Sequence, residues 1–153
     1  MDKWEKYRLF IGKNADYYIQ RFKKFEETGG ALSWNWPAFF FGIVWMLYRK
    51  MYLYGLIAFL AGGILGMMIA VMSPGNMLLA AGVQLWLMIG FGAFGNYIYY
   101  YFVKNQVQRL ENLYHDPEEL KRALESYGGT NMVAPLLYLL IIFILQIITI
   151  KSQ

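Results

Sequence analysis

Residues 33–52 read SWNWPAFFFGIVWMLYRKMY. From Asn35 to Tyr48 there is no formal charge, and the run closes on Arg49-Lys50 before a long apolar segment begins. Aromatic blocks ended by cations belong at a membrane–water boundary, where Trp and Tyr sit at headgroup depth. As a helix, 35–48 would extend only about 21 Å, short of a hydrocarbon core of about 30 Å. A crossing here would also set the N-terminal cations opposite Arg49-Lys50, against the positive-inside rule. The expectation is therefore a re-entrant or in-plane helix, with Pro37 in its first turn and Ser33 or Asn35 as its cap.

Outward from this block lie three uncharged segments long enough to span: 53–72, 77–102 and 132–150. Pro74-Gly75 turns the first two into a hairpin. The polar stretches carry helical spacing. Trp4, Tyr7 and Ile11 share a face that Gly12 closes. Asn14 caps a second helix carrying Tyr18, Phe22 and Phe25, ended by Gly29-Gly30. Val103, Val107, Leu110 and Tyr114 continue the second span into a 103–131 loop. Asp116-Pro117-Glu118-Glu119 starts a short helix, Gly128-Gly129 stops it, and Thr130 or Asn131 caps the third span. The fold expected is an all-α membrane protein in a single membrane domain over 1–153. It has three transmembrane helices, one short re-entrant or interfacial helix (35–48), and amphipathic cytoplasmic helices in 1–32 and 103–131.

Composition agrees: 58% of residues are hydrophobic and 16% charged, against about 45–50% and about 25% in soluble chains. Residues 1–52 carry nine Lys/Arg, the 73–76 turn none and 103–131 four. This places the N-terminus and the 103–131 loop in the cytoplasm, and the 73–76 turn and C-terminal KSQ outside. Residues 1–32 hold no apolar signal-peptide core, so the first apolar segment is expected to insert uncleaved. The net charge of +4 is spread along the flanks of apolar segments, without the basic face a nucleic acid requires. The absence of cysteine removes disulfide and thiolate chemistry.

The 33–52 stretch resembles the signature of a bacterial membrane family, domain of unknown function 2628, in the pattern N-W-x-A-F-F-F-G-x-x-W-x-L-Y-R-K-M-Y. FIGKNADYYI (10–19), GNYIYYYFVKNQVQRL (95–110), DPEEL (116–120) and GGTN (128–131) extend the likeness. Pro37 stands where the family usually has a small residue, and Ile43-Val44 where a Gly-Pro-Leu-type kink is common. The resemblance implies the bacterial inner membrane and brings no established activity.

Arg49 and Lys50, flanked by Tyr48 and Tyr52, are the candidate contact for anionic lipid or phosphate. A cation near a charged membrane surface is worth about 1 kcal/mol. Gly62 and Gly66 form GxxxG, and Gly90, Gly92 and Gly95 spell GxGxxG inside an apolar helix. A dinucleotide site would need a strand before the motif, so both are read as close-packing positions. Their expected partner is the neighbouring span, with a second copy of the chain as the alternative. Gln84, Asn96 and Gln146 are read as amides bonding across helices. His115 stands alone, without metal-site spacing. No metal, cofactor or catalytic activity is expected. The function expected is a non-enzymatic interaction or scaffold protein at the cytoplasmic face, with membrane lipids and a protein as partners. The alternative is a small oligomeric transporter, channel or lipid-handling protein.

Overall fold

The computed structural model describes residues 1–151, in which eight helices and no strand occur. In order they are α1 (Lys3–Ile11), α2 (Ala15–Thr28), α3 (Trp36–Phe41), α4 (Ile43–Tyr48), α5 (Tyr52–Met72), α6 (Met77–Leu113), α7 (Pro117–Tyr127) and α8 (Val133–Lys151). The side on which Ser152 and Gln153 lie falls outside the described residues.

Local signals set most boundaries. Asp2 caps α1 by accepting the Glu5 N–H at 2.9 Å, and Gly12 ends it at φ +62°. Asp116 accepts the N–H groups of Glu118 and Glu119, with Pro117 as the first helical residue. Asn131 caps α8 through the Val133 N–H at 2.8 Å. Asn14 departs from expectation. It precedes α2, but at φ +63° its side chain makes no capping bond, because the tight Gly12–Asn14 turn swings it away.

The core lies at one end of the molecule. Tyr7, Phe10 and Ile11 of α1, and Tyr18, Ile19, Phe22 and Phe25 of α2, pack on Tyr99, Tyr100, Phe102, Val103, Val107 and Leu110 of α6. Leu120, Ala123 and Leu124 of α7 close the cluster. Rings meet edge to face, Tyr18 on Tyr99 at 4.8 Å and Phe22 on Tyr100 at 5.2 Å. Such pairs add about 0.5–1.5 kcal/mol each beyond burial. Burying the apolar faces of α1, α2 and α7 against α6 makes one head.

α6 has 37 residues and so runs about 55 Å, well beyond a bilayer core. Its first half is exposed, and its burial begins at Gly92. The sequence reading assigned 77–102 to a span, whereas residues 95–103 here form the spine of the head. α5, α6 and α8 are each long and apolar enough to cross a membrane, yet almost nothing of their apolar stretches is covered by the rest of the chain. α5 and α6 touch sparsely, while α8 leans on α4 and meets α5 through Tyr138 against Phe59.

Polar ties add to this packing, two of them across distant segments. The Glu26 carboxylate takes bonds from the Lys3 ammonium and, at 2.7 Å, the Tyr100 hydroxyl. Burial pushes its pKa up, but these donors outweigh burial and hold it below the ordinary 4.5. A carboxyl with a lowered folded pKa stabilises above its unfolded value and loses that contribution as pH falls through the folded one. Acidification below pH 4.5 should therefore loosen α1 from α2, seen as a falling melting temperature whose acid dependence is smaller in Glu26→Gln.

The second tie is fully buried. Asn35 caps α3 through the Ala38 N–H at 2.9 Å and donates its Nδ2 to Asn96 Oδ1 at 2.8 Å. Asn96 Nδ2 donates in turn to Ser33 Oγ at 3.0 Å and to the Ser33 and Trp34 carbonyls at 3.3 Å. Asn96→Leu should cost about 1–3 kcal/mol for each acceptor or donor left buried and unpaired, measured by thermal melting in detergent.

Candidate functional site

The junction between α4 and α5 is where the sequence placed its anion contact. α4 ends in a Schellman motif: Met51 N–H reaches the Met46 carbonyl at 2.9 Å and Lys50 N–H the Leu47 carbonyl at 3.1 Å. The two methionines are both buried, giving the hydrophobic contact that accompanies this ending. Lys50 takes the left-handed position, φ +60°, which glycine usually fills because other residues pay about 1–2 kcal/mol there.

This turn sends Arg49 and Lys50 in different directions. Arg49 is 3% exposed. Its Nη1 donates to the Lys13 carbonyl at 3.0 Å and the Ile11 carbonyl at 3.4 Å. The guanidinium lies 4.6 Å from the Tyr18 ring centroid and 5.4 Å from that of Tyr99. Orphan carbonyls at a helix C-terminus carry partial negative charge and favour a cation. Arg49 therefore serves the end of α1, and the headgroup contact expected of it has no open path to its side chain. Lys50 extends the other way, donating from Nζ to the Ser126 carbonyl in the last turn of α7 at 2.9 Å. Each cation thus sits at a helix C-terminus. The same end of α1 is tied a third time, by Gly129 N–H on the Phe10 carbonyl at 2.7 Å.

Tyr48 and Tyr52 also separate. Tyr48 sits beside Lys13 and Thr130. Burial pushes its hydroxyl pKa up, but their hydrogen bonds and the nearby cations outweigh burial and hold it below the ordinary value. Its carbonyl accepts the Asn131 N–H at 2.8 Å. Tyr52 opens α5, and its hydroxyl accepts from Asn131 Nδ2 at 2.8 Å. Lys50 and Tyr52 together line a cavity of about 430 Å³ with Gln106, Ser126, Tyr127 and Asn131, floored by Phe10 and Phe102.

The glycines divide in the same manner. A Cβ on Gly95 would lie 2.7 Å from Ala38 Cβ, and one on Gly92 would lie 3.0 Å from Phe39 and Trp34. Their bare backbone lets Ser33 and Asn35 donate to the Ala93 and Gly92 carbonyls at 3.0 and 2.8 Å. Gly92 and Gly95 are close-packing positions, but against 33–39 rather than a neighbouring span, and Gly90 meets nothing within 4 Å. Gly62 and Gly66 meet nothing within 4 Å. Gln84, His115 and Gln146 are exposed, while Asn96 bonds across elements as expected. Among the described residues no three His, Cys, Asp or Glu side chains gather as metal ligands would. Sequence reasoning missed the Asn35–Asn96 pair and the Arg49 bonds to α1, each joining residues too far apart in the chain for spacing to reveal.

A buried helical head carrying three exposed helices of membrane-crossing length defines an all-α, membrane-associated protein. The chain belongs to the family described as Protein of unknown function (DUF2628), whose model matches residues 6–105, from α1 into the head portion of α6. Neither a curated protein nor a solved structure matches it.

Proposed function

We propose that the chain is a non-catalytic integral protein of the bacterial inner membrane that binds membrane lipid between its splayed helices. The observation that carries this reading is the contrast between a closed head and open spans. An apolar cavity of about 230 Å³ separates α4, α5 and α8. A larger one of about 690 Å³ lies among α3, α4, α5 and α6. The amphipathic faces that suggested a protein partner at the cytoplasmic side are spent within the head, which leaves lipid as the better-supported partner.

The head also bears on topology. Because α1, α2, α7 and the end of α6 pack together, residues 1–32 and 103–131 share one side. α5 and α6 already make one outward and one return crossing, so 35–48 need not cross. Trp36, Phe40 and Phe41 are exposed on α3, as suits a helix lying at headgroup depth. The nine Lys/Arg of residues 1–52 favour a cytoplasmic head, and α8 then leads outward.

Native mass spectrometry of the protein released from nanodiscs tests the reading. Retained lipid is expected, and a bare chain at every activation energy would refute it. A second copy is favoured by one observation, the open Gly62–Gly66 stripe, since small residues let helices approach closely. The same spectra read its mass.

A further inference from the structure

The geometry points to the Lys50–Tyr52 cavity as a phosphate site for one anionic phospholipid, whose acyl chain runs into the groove between α4, α5 and α8. This rests on the lipid-binding reading above and assigns it a headgroup class and a place.

Four observations carry it. First, Lys50 is the single formal charge among the residues lining the cavity, with no carboxylate there and none in ion-pair reach of Lys50 among the described residues. Its bond to Ser126 uses one N–H of three. Second, the polar wall is arranged to donate. Asn131 Oδ1 is held by the Val133 N–H and its Nδ2 by the Tyr52 oxygen. The Tyr52 hydroxyl therefore accepts from Asn131 and keeps its own proton for a ligand. Third, Tyr52 lines both this cavity and the apolar groove with Ile43, Leu47, Leu56 and Ile142. Polar pocket and apolar slot thus lie on either side of one residue, Tyr52, where α5 and α8 begin. Fourth, Lys50 holds a left-handed conformation in which glycine would be favoured. Glycine would complete the turn, but it could bring no ammonium to the cavity.

The fourth point supplies the test. Lys50→Gly suits the turn and deletes the cation, while Lys50→Arg keeps charge and backbone demand together. Full-length protein is equilibrated in nanodiscs of equal phosphatidylglycerol and phosphatidylcholine, and retained lipid is read by native mass spectrometry alongside the melting temperature. Wild type and Lys50→Arg should prefer phosphatidylglycerol. Lys50→Gly, melting no lower than Lys50→Arg, should lose about fivefold of that preference, and Tyr52→Phe should lose part of it. Should Lys50→Gly melt lower, Lys50→Gln against Lys50→Arg supplies the same comparison with both side chains bearing the same turn demand. Unchanged preference when the charge is removed would overturn the site but leave lipid binding standing, whereas no lipid on wild type would remove both. Inorganic phosphate that stabilises detergent-solubilised wild type but not Lys50→Gly, without any lipid preference, would make the ligand free phosphate and overturn the lipid assignment.

Discussion

Arg49→Ala is expected to destabilise the head by about 2–5 kcal/mol, since each buried carbonyl left without its donor costs about 1–3 kcal/mol and the void adds to that. Against total stabilities of about 5–15 kcal/mol this is a large loss. Truncation removes the donor from the Ile11 and Lys13 carbonyls and leaves a void facing Tyr18 and Tyr99. Arg49→Met fills the void but leaves the carbonyls unpaired, so it should fall between alanine and wild type. Arg49→Lys keeps a cation but loses the planar group that bonds and stacks at once, and it should melt below wild type and above Met. Tryptophan fluorescence during heating reports all three, since Trp45 is buried beside Tyr99. If Arg49→Ala melts like wild type yet sheds anionic lipid, the guanidinium serves the membrane and not the end of α1.

The difference between those outcomes shows what the sequence could and could not disclose. Asp116-Pro117, Gly12 and Asn131 act on neighbours in the chain, so their roles could be read from spacing, as could the three membrane-length helices and the run of α6 past residue 102. The direction of Arg49 could not. An interfacial cation facing lipid and a buried one facing the end of α1 have the same local sequence. What separates them is the turn at 46–51, which buries Arg49 and leaves Lys50 half-buried on the other side. Gly92 and Gly95 were legible as close-packing residues, but their partner was not, because nothing near 90–95 marks Trp34, Ala38 or Phe39 as facing them. Asn35 and Asn96 are 61 residues apart, and either alone reads as a cap or an isolated amide.

The glycines supply the sharpest contrast in expected effect. A Cβ at Gly128 would lie 2.0 Å from the Phe10 carbonyl oxygen, 2.7 Å from its carbon and 2.8 Å from the Leu124 oxygen. All three are backbone atoms, so no rotamer change can make room. Its φ of −82° suits any residue, which makes the cost one of space alone. Gly128→Ala must push α7 away from α1 and break the Gly129–Phe10 bond, a loss at or above the roughly 3 kcal/mol upper range of ordinary overpacking. Gly129 is the converse case, with open space but φ +77°, and alanine there should cost about 1–2 kcal/mol. Gly62→Ala meets nothing, and within a helix alanine is favoured over glycine by up to about 1 kcal/mol. Melting temperatures should therefore rank Gly62→Ala at or above wild type, then Gly129→Ala, with Gly128→Ala far below. The ranking follows from a fold whose stability resides in the head, with spans that contribute little to one another. A large fall for Gly62→Ala together with a change in oligomer mass would mean instead that the spans find their packing in a second copy.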